Sequence, residues 1–274
     1  MRINKSKKLL KEGKCILGTW AGLGFTDPTL IEIAGYAGFD FILIDMEHSS
    51  LDLQTIESMV RAGDAADITT IVRVPENNPK TILRILETGA QGIIIPHTRN
   101  REDVEKAINA IKYRPYGDRG IFSGSRAAQY SAVDFKRHMK ESNEEILFMV
   151  MIEDDFAVEE LKEILSVQGL DGIFIGPADL SRSLNALGEQ NNPKVVKTIE
   201  SIFDTVRKSE TDMKIGIPGY HSAFYHSTKE LVDLGARMIT ASPADASLLM
   251  RAYKNQLNDM RKGIENFLGE DHLK

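Results

Sequence analysis

Short apolar runs recur along the whole chain. They are rich in isoleucine, valine, leucine and phenylalanine, and each is followed by a segment with a different periodicity. Apolar runs of this kind, bounded by glycine and polar residues, are typical of buried β-strands. The pattern predicts eight strands: Ile16–Thr19, Phe39–Ile44, Thr70–Val74, Gly92–Ile95, Ile146–Ile152, Gly172–Ile175, Lys214–Ile217 and Arg237–Thr240.

The intervening segments place apolar residues three and four positions apart, as one buried face of an α-helix requires. Proline falls in the opening turn of several of them, where its missing N–H costs little. The spacing predicts eight helices: Pro28–Tyr36, Leu53–Ala65, Pro79–Leu86, Asp103–Ile111, Val158–Leu165, Pro193–Arg207, Phe224–Leu234 and Ala244–Arg261.

Strands that alternate with helices imply a parallel sheet with right-handed crossovers. Eight such units can close into a (β/α)8 TIM barrel, an α/β fold for which a chain of 274 residues is long enough. The chain has no Pro/Ser-rich linker and no low-complexity tract. We therefore expect one barrel domain over residues 1–274, ending in a C-terminal helix.

Two connections are too long for this simple pattern, and they predict extended loops after strands 4 and 6. They span Tyr113–Glu145 and Pro177–Asn192. Long connections in a compact domain often help to form a functional site. Glycines and arginines between Arg114 and Arg126 could approach an anionic ligand, and an excursion over the surface is the alternative reading.

Charge and composition exclude several classes of partner. The net charge of −6 and the pI near 5.6 give no general attraction to nucleic acid or to an anionic membrane. The strongly apolar run Ile146–Ile152 is far shorter than the roughly 20 residues of a membrane-spanning helix. Cys15 has no cysteine partner, and the first residues lack a signal-peptide pattern, so we expect a cytoplasmic protein.

Polar residues gather where the predicted strands end. Asp45 and His48 follow strand 2, Arg73 ends strand 3, Glu153 follows strand 5 and Asp179 follows strand 6. In α/β barrels the active site lies at the C-terminal ends of the strands. We therefore expect these side chains to converge.

Glu153 and Asp179 follow neighbouring strands, so their carboxylates could share one cation. Two carboxylates with open positions suit Mg²⁺ or Mn²⁺, and Co²⁺ is also possible. The alternative is that each carboxylate caps a helix or pairs with an arginine.

Arg73 stays charged at any working pH, so it could stabilise a carboxylate or a developing enolate. Asp45 could orient His48 and raise its basicity for proton transfer. A plain salt bridge for Arg73, and mutual satisfaction of two buried polar groups for Asp45 and His48, are the alternatives. His97, after strand 4, is a weaker candidate.

The sequence lacks the motifs of several other kinds of enzyme chemistry and of nucleotide and zinc binding. No predicted strand ends in the lysine that a Schiff-base aldolase needs. There is also no Walker loop, no G-x-G-x-x-G after a strand and no Cys/His spacing typical of zinc. Imine chemistry and nucleotide binding are therefore disfavoured.

Five segments together resemble the HpcH/HpaI aldolase family. The resemblance spans roughly Leu17–Leu249, and its most specific element combines Gly-Ile-Phe-Ile-Gly-Pro-Ala-Asp-Leu with an Asp-x-Glu-His motif. The segments are Gly38–His48, Val72–Val74, Gly89–Gly92, Ile152–Glu153 and Asp171–Leu180.

The resemblance implies a class II aldolase that reversibly cleaves a 4-hydroxy-2-oxo acid to pyruvate and an aldehyde through a metal-stabilised enolate. It implies that Glu153 and Asp179 hold the divalent ion. It further implies that the backbone of Gly176, Pro177 and Ala178 receives the carboxylate of pyruvate.

The same resemblance implies roles for three more side chains. Arg73 would steady the enolate oxygen, and His48, oriented by Asp45, would move protons through water. It also implies a homo-oligomer, a hexamer built as a trimer of dimers in which the last helix packs on a neighbouring subunit.

The chain departs from the family pattern at two positions near the predicted site. Met151 replaces a glutamine found in many members, and His97 stands where an apolar residue is expected. The identity of the aldehyde therefore stays open. Two alternatives use the same residues: a decarboxylase or synthase of the macrophomate synthase type acting on oxaloacetate, and a non-catalytic barrel that binds keto acids.

Overall fold

A computed structural model describes residues 1–186, 189, 191–209, 211–219, 227–242 and 244–268. Its strands confirm the eight predicted from the apolar runs, with ends that differ by no more than a few residues. They are β1 (Ile16–Ala21), β2 (Phe41–Asp45), β3 (Thr69–Arg73), β4 (Gly92–Ile95), β5 (Leu147–Ile152), β6 (Gly172–Ile175), β7 (Lys214–Pro218) and β8 (Ala236–Thr240).

The strands form a closed barrel in sequence order, and β1 pairs with β8 to complete it. Every pairing is parallel, which confirms the predicted (β/α)8 fold. The register between β2 and β3 places Asp45 opposite Arg73 at the C-terminal end. Two of the predicted site residues are therefore neighbours by strand pairing alone.

The helices surround this barrel, and side chains fix where several of them begin. Asp52, Asn78, Asn100 and Asn192 each accept a hydrogen bond from a backbone N–H in the first turn of the helix that follows. The helices are α1 (Lys5–Lys11), α2 (Thr29–Tyr36), α3 (Leu53–Ala65), α4 (Pro79–Glu87), α5 (Arg101–Ile111), α6 (Phe135–Glu145), α7 (Asp155–Glu159), α8 (Leu161–Leu165), α9 (Pro177–Ser183), α10 (Pro193–Lys208), α11 (Thr228–Leu234) and α12 (Asp245–Leu268).

The two predicted long connections contain helices that the sequence pattern did not predict. Helix α6 occupies the end of the connection after β4, and α9 opens the connection after β6. Arg126, from the first connection, forms an ion pair with Asp64 and donates to the carbonyl of Thr88. Its guanidinium is thus held by partners on the helical layer outside the barrel. The start of the predicted helix Phe224–Leu234 lies outside the described residues.

The apolar side chains form two layers of core. One layer fills the space between strands and helices, and the other fills the barrel interior with residues such as Phe41, Leu43, Met149 and Phe174. Leu10 of α1 belongs to the interior layer, so α1 closes the N-terminal end of the barrel. The C-terminal end is therefore the end at which a barrel of this kind receives its ligand.

No helix in the described ranges has both the length and the apolar content that crossing a membrane would require.

Candidate active site

Arg73 is fixed at the C-terminal end of the barrel by Asp45. Its Nε donates to Asp45 Oδ1 at 2.8 Å, and its Nη2 donates to Asp45 Oδ2 at 2.5 Å. The Asp45 side chain is fully buried, and the Arg73 side chain is 8% exposed. This two-point contact holds the plane of the guanidinium in one orientation.

The remaining surroundings of Arg73 come from β1, from β5 and from the loop after β2. Its guanidinium carbon lies 4.9 Å from the centre of the Trp20 ring, and Nη1 lies 3.6 Å from Met151 Sδ. Burial opposes the charge on Arg73, but the hydrogen bond with Asp45 and the charges of Asp45, Glu47 and Glu153 outweigh it, so the pKa of Arg73 is raised. Arg73 is a permanent cation in this site.

Glu47, His97 and Glu153 form a compact cluster beside Arg73. The ligand-type atoms of the three residues lie within 4.8 Å of one another. His97 Nε2 is 2.8 Å from Glu47 Oε1, and His97 Nδ1 is 3.2 Å from Glu153 Oε1. The backbone N–H of His97 also donates to Glu153 Oε1 at 2.6 Å.

Negative charge exceeds positive charge in this cluster. Arg73 Nη1 lies 3.0 Å from Glu47 Oε2, but that buried oxygen has no hydrogen bond among the described residues. Burial raises the pKa of Glu153, the contact with His97 lowers it, and the charges of Glu47 and Asp179 raise it further, so that the net shift is upward. An additional cation would relieve this repulsion.

Gly176 brings the start of α9 against Glu153. A Cβ at position 176 would lie 2.8 Å from both Glu153 Cβ and Glu153 Oε2, and 3.0 Å from Met151 Cε. Pro177 is the first helical residue, and no side chain caps the start of α9. The N–H groups of a first helical turn have no partner within their own helix, so those of α9 can face an anion. Pro177 is buried and Ala178 is exposed.

Asp179 lies on the first turn of α9, with a side chain that is one-third exposed. Its Oδ1 accepts from Arg182 Nε at 3.2 Å, three residues further along the helix. The charge of Asp179 acts on Glu153 but ranks below the other causes of that residue's shifted pKa. Asp179 is thus near Glu153, outside the compact cluster of Glu47, His97 and Glu153.

His48 lies at the same end of the barrel, with a side chain that is 57% exposed. Its Nε2 is 3.9 Å from Glu47 Oε2. Both carboxylate oxygens of Asp45 bind Arg73, and Oδ1 also accepts from the backbone N–H of Glu47. Asp45 therefore orients Arg73, and the described contacts place Glu47, not Asp45, beside the His48 ring.

Glu47 is missing from the site residues predicted from the sequence, and His97 is only a weaker candidate among them. Glu47 stands between Asp45 and His48 in the loop after β2, which was signal enough for its inclusion. His97 follows β4 directly and has a positive φ of 51°, an uncommon backbone conformation for a non-glycine residue. Nothing in the sequence indicated that conformation.

The donor atoms suit a divalent cation. Carboxylate oxygens and an imidazole nitrogen are the usual ligands of Mn²⁺, Co²⁺ and similar ions. Of the two metal ligands predicted from the sequence, Glu153 belongs to the compact cluster of Glu47, His97 and Glu153, and Asp179 does not. The buried Glu47 Oε2, which has no hydrogen bond within the part of the chain that the structure describes, supplies a further acceptor that a cation would satisfy.

Comparison with known proteins gives consistent results. The sequence profile of the family described as HpcH/HpaI aldolase/citrate lyase matches residues 20–241. A pyruvate aldolase from Rhizobium etli is 36% identical over 205 residues, which cover 75% of this chain and 79% of the relative. A 4-hydroxy-2-oxo-heptane-1,7-dioate aldolase from Escherichia coli is 33% identical over 250 residues, which cover 91% of this chain and 92% of the relative.

The fold comparison agrees. The crystal structure of an HpcH/HpaI aldolase from Desulfitobacterium hafniense DCB-2 superposes with a TM-score of 0.85 at 28% sequence identity. The match covers 93% of this chain and 96% of that one.

Proposed function

Because the chain belongs to the HpcH/HpaI aldolase/citrate lyase family and is a carbon–carbon lyase, we propose that it is a class II pyruvate aldolase. The proposed reaction is the reversible cleavage of a 4-hydroxy-2-oxo acid to pyruvate and an aldehyde, and it depends on a divalent metal ion. The observation that carries the proposal is the buried cation Arg73, held at two points by Asp45 beside the acidic cluster.

The proposed metal ligands are Glu153 and Asp179. Glu153 is buried at the barrel mouth, and Asp179 is close enough for its charge to act on Glu153. A bound divalent ion supplies Lewis acidity, which favours the enolate more than the ground-state ketone and so lowers the barrier. Mg²⁺ and Mn²⁺ are the proposed ions, with Co²⁺ as a further candidate.

The substrate's carboxylate is proposed to bind at the start of α9. Gly176 lets the backbone approach Glu153, and α9 begins there without a side-chain cap, so that its first N–H groups are available to an anion. The carboxylate would then lie against the backbone of Gly176, Pro177 and Ala178. This orientation brings the keto group toward Arg73.

Arg73 is proposed to stabilise the negative charge that develops on the keto oxygen as the carbon–carbon bond breaks. Its orientation is set before the substrate arrives, because Asp45 holds both Nε and Nη2. A preorganised donor of this kind stabilises the transition state without having to reorganise during the reaction. Asp45 acts here as the residue that positions Arg73.

His48 is proposed to move protons between the substrate hydroxyl and water. Its imidazole is more than half exposed at the barrel mouth, so water can reach it. Glu47 lies beside the ring, at 3.9 Å from Nε2. The ring can take the hydroxyl proton in the cleavage direction and return it to the aldehyde oxygen in the synthetic direction.

The experiment couples pyruvate release from 4-hydroxy-2-oxo acids to lactate dehydrogenase. We expect release to stop in EDTA and to recover with Mg²⁺ or Mn²⁺. Glu153→Gln should lower kcat/KM about a thousandfold or more, because removing the ion removes several kcal/mol of transition-state stabilisation. Asp179→Asn should act in the same direction.

Asp118→Asn is the matched control, because Asp118 is an exposed carboxylate paired with Arg114 on the surface. It should leave kcat/KM unchanged. Full pyruvate release in chelator would disprove the metal-dependent reaction. Turnover of oxaloacetate alone would indicate the decarboxylase alternative, and binding of pyruvate without any turnover would indicate a keto-acid-binding barrel.

A further inference from the structure

His97 has a place in the site that its sequence position did not suggest. Its ring lies between two buried carboxylates, with Nε2 2.8 Å from Glu47 Oε1 and Nδ1 3.2 Å from Glu153 Oε1. Each ring nitrogen therefore faces a different acidic side chain. The imidazole spans the cluster at the barrel mouth.

The backbone fixes this placement. His97 has a φ of 51°, and its N–H donates to Glu153 Oε1 at 2.6 Å. A positive φ costs a non-glycine residue free energy, so it persists only where the surrounding structure determines it. Here the conformation turns the chain after β4 so that both the N–H and the ring of one residue reach Glu153.

The acidic partners are incompletely neutralised by protein groups. Glu47 has a side chain that is 8% exposed, and its buried Oε2 forms no hydrogen bond among the described residues. Among the described residues, Glu47 contacts Arg73, which also donates hydrogen bonds to Asp45. It also contacts the imidazoles of His48 and His97, which are cations when protonated. Among the described residues, Glu47 therefore offers Oε1 toward His97 and keeps a second, buried oxygen that has an ion-pair contact with Arg73 but no hydrogen bond.

We propose that His97 is a nitrogen ligand of the catalytic divalent ion, and that Glu47, His97 and Glu153 form the ligand set from this side of the barrel. The inference rests on the proposed function, because it assigns a further ligand to that same ion. Glu153 belongs both to this set and to the pair Glu153 and Asp179 proposed above. Asp179 contributes its carboxylate from α9.

A nitrogen ligand changes which ion binds best. Carboxylate and water oxygens alone suit Mg²⁺ and Mn²⁺, whereas imidazole raises affinity for borderline ions such as Co²⁺ and Zn²⁺. Loss of the imidazole should therefore weaken Co²⁺ binding more than Mg²⁺ binding. This difference separates a ligand from a residue that merely shapes the loop.

The test uses the full-length protein loaded with Mn²⁺ and examined by pulsed electron paramagnetic resonance. We expect modulation from a coordinated imidazole nitrogen in the unmodified protein and in His48→Asn, and its loss in His97→Asn. Asparagine tolerates a positive φ better than most residues, so His97→Asn keeps the backbone conformation. His48→Asn is the matched control, because that imidazole is similarly exposed at the same end of the barrel.

Calorimetry of the same variants gives the second readout. In His97→Asn and His97→Ala we expect Co²⁺ affinity to fall by about tenfold or more and Mg²⁺ affinity by less than about threefold. Nitrogen modulation that persists in His97→Asn, or is missing from the unmodified protein, would overturn the assignment. So would equal losses of affinity for both ions.

The pyruvate-release assay keeps the two proposals apart. Metal-dependent release without a nitrogen signal would reject His97 as a ligand and leave the aldolase reaction standing. A nitrogen signal without pyruvate release would reject the aldolase reaction and leave the ligand assignment standing.

Discussion

Asp45 and Arg73 show how single residues create a fixed charge in the barrel mouth. Removing both charges from water costs free energy, and only good geometry with further hydrogen bonds offsets that cost. The pair meets this condition with two direct bonds and a third bond from the Glu47 N–H to Asp45. As a result, the guanidinium of Arg73 needs no reorientation when the substrate binds.

His138 provides a prediction about stability and pH. It is buried in α6, its ring stacks on Phe135, and burial together with the positive N-terminus and Arg119 lowers its pKa to about 4 from 6.5. The unfolded chain therefore binds a proton below about pH 6.5 that the folded protein does not bind. Stability from this residue is complete above pH 6.5 and is lost as the pH falls toward 4, by on the order of 2–3 kcal/mol.

Urea unfolding at pH 7.5 and at pH 5, in EDTA to remove metal linkage, measures this effect. His138→Gln should lose less free energy of unfolding between the two pH values than the unmodified protein does. His48→Gln, which removes an exposed imidazole, should follow the unmodified protein. Equal pH dependence in all three proteins would refute the role of His138.

The sequence could predict which residues approach the site, but not which of them touch. Polar residues after strand ends must meet at one end of a barrel, and this placed Asp45, Arg73 and Glu153 correctly. Contacts within the site depend on loop backbone that hydrophobic periodicity does not describe. Hence the contact between Glu47 and His97 was not foreseen, and Asp45 was paired with His48 although strand register sets it opposite Arg73.

At the scale of elements, the start of α9 depends on a residue without a side chain. In Gly176→Ala the new Cβ would come within 2.8 Å of Glu153 Cβ and Oε2, so Glu153 or α9 must shift. Displacement of a ligand or of the carboxylate site by about 1 Å can cost about a hundredfold in rate. We expect kcat/KM to fall by about that factor and Mn²⁺ affinity to fall in calorimetry.

Gly263→Ala is the control for this substitution. Gly263 lies within α12, and a Cβ there meets nothing within 4 Å, so the change should leave kinetics and metal affinity unaltered. Unchanged kinetics in Gly176→Ala would show that the close approach of α9 to Glu153 is not needed for activity.

The strands were easier to predict than the helices for a physical reason. Most residues of the barrel strands are buried, so most of the strand sequences are short, largely apolar runs. Helices α1, α6 and α9 are short or highly polar, and α6 has only His138 and Ser142 as buried residues. Such segments carry little hydrophobic periodicity, so α6 and α9 lie in connections predicted as extended loops, and α1 lies outside the predicted elements.

At the scale of the whole molecule, helix α12 presents an apolar face to solvent. It carries exposed apolar side chains at intervals of three and four residues, which place them on one face of the helix. This α12 stripe consists of Met250, Tyr253, Leu257, Met260 and Ile264. The spacing is that of a heptad seam, the pattern by which helices pair with one another.

The α12 stripe predicts self-association of the chain, in keeping with the hexamer that the family resemblance implies. Burying one large apolar side chain contributes about 1.5–3 kcal/mol, so a lysine at the centre of the stripe should break the contact. Leu257→Lys should lower the mass measured by light scattering after size exclusion, whereas Asn255→Lys, on the opposite face, should not. Because none of the described side chains of α12 belongs to the apolar core, Leu257→Lys should keep its circular dichroism. A single-chain mass for the unmodified protein would contradict the prediction, and an unchanged assembly in Leu257→Lys would place the contact elsewhere.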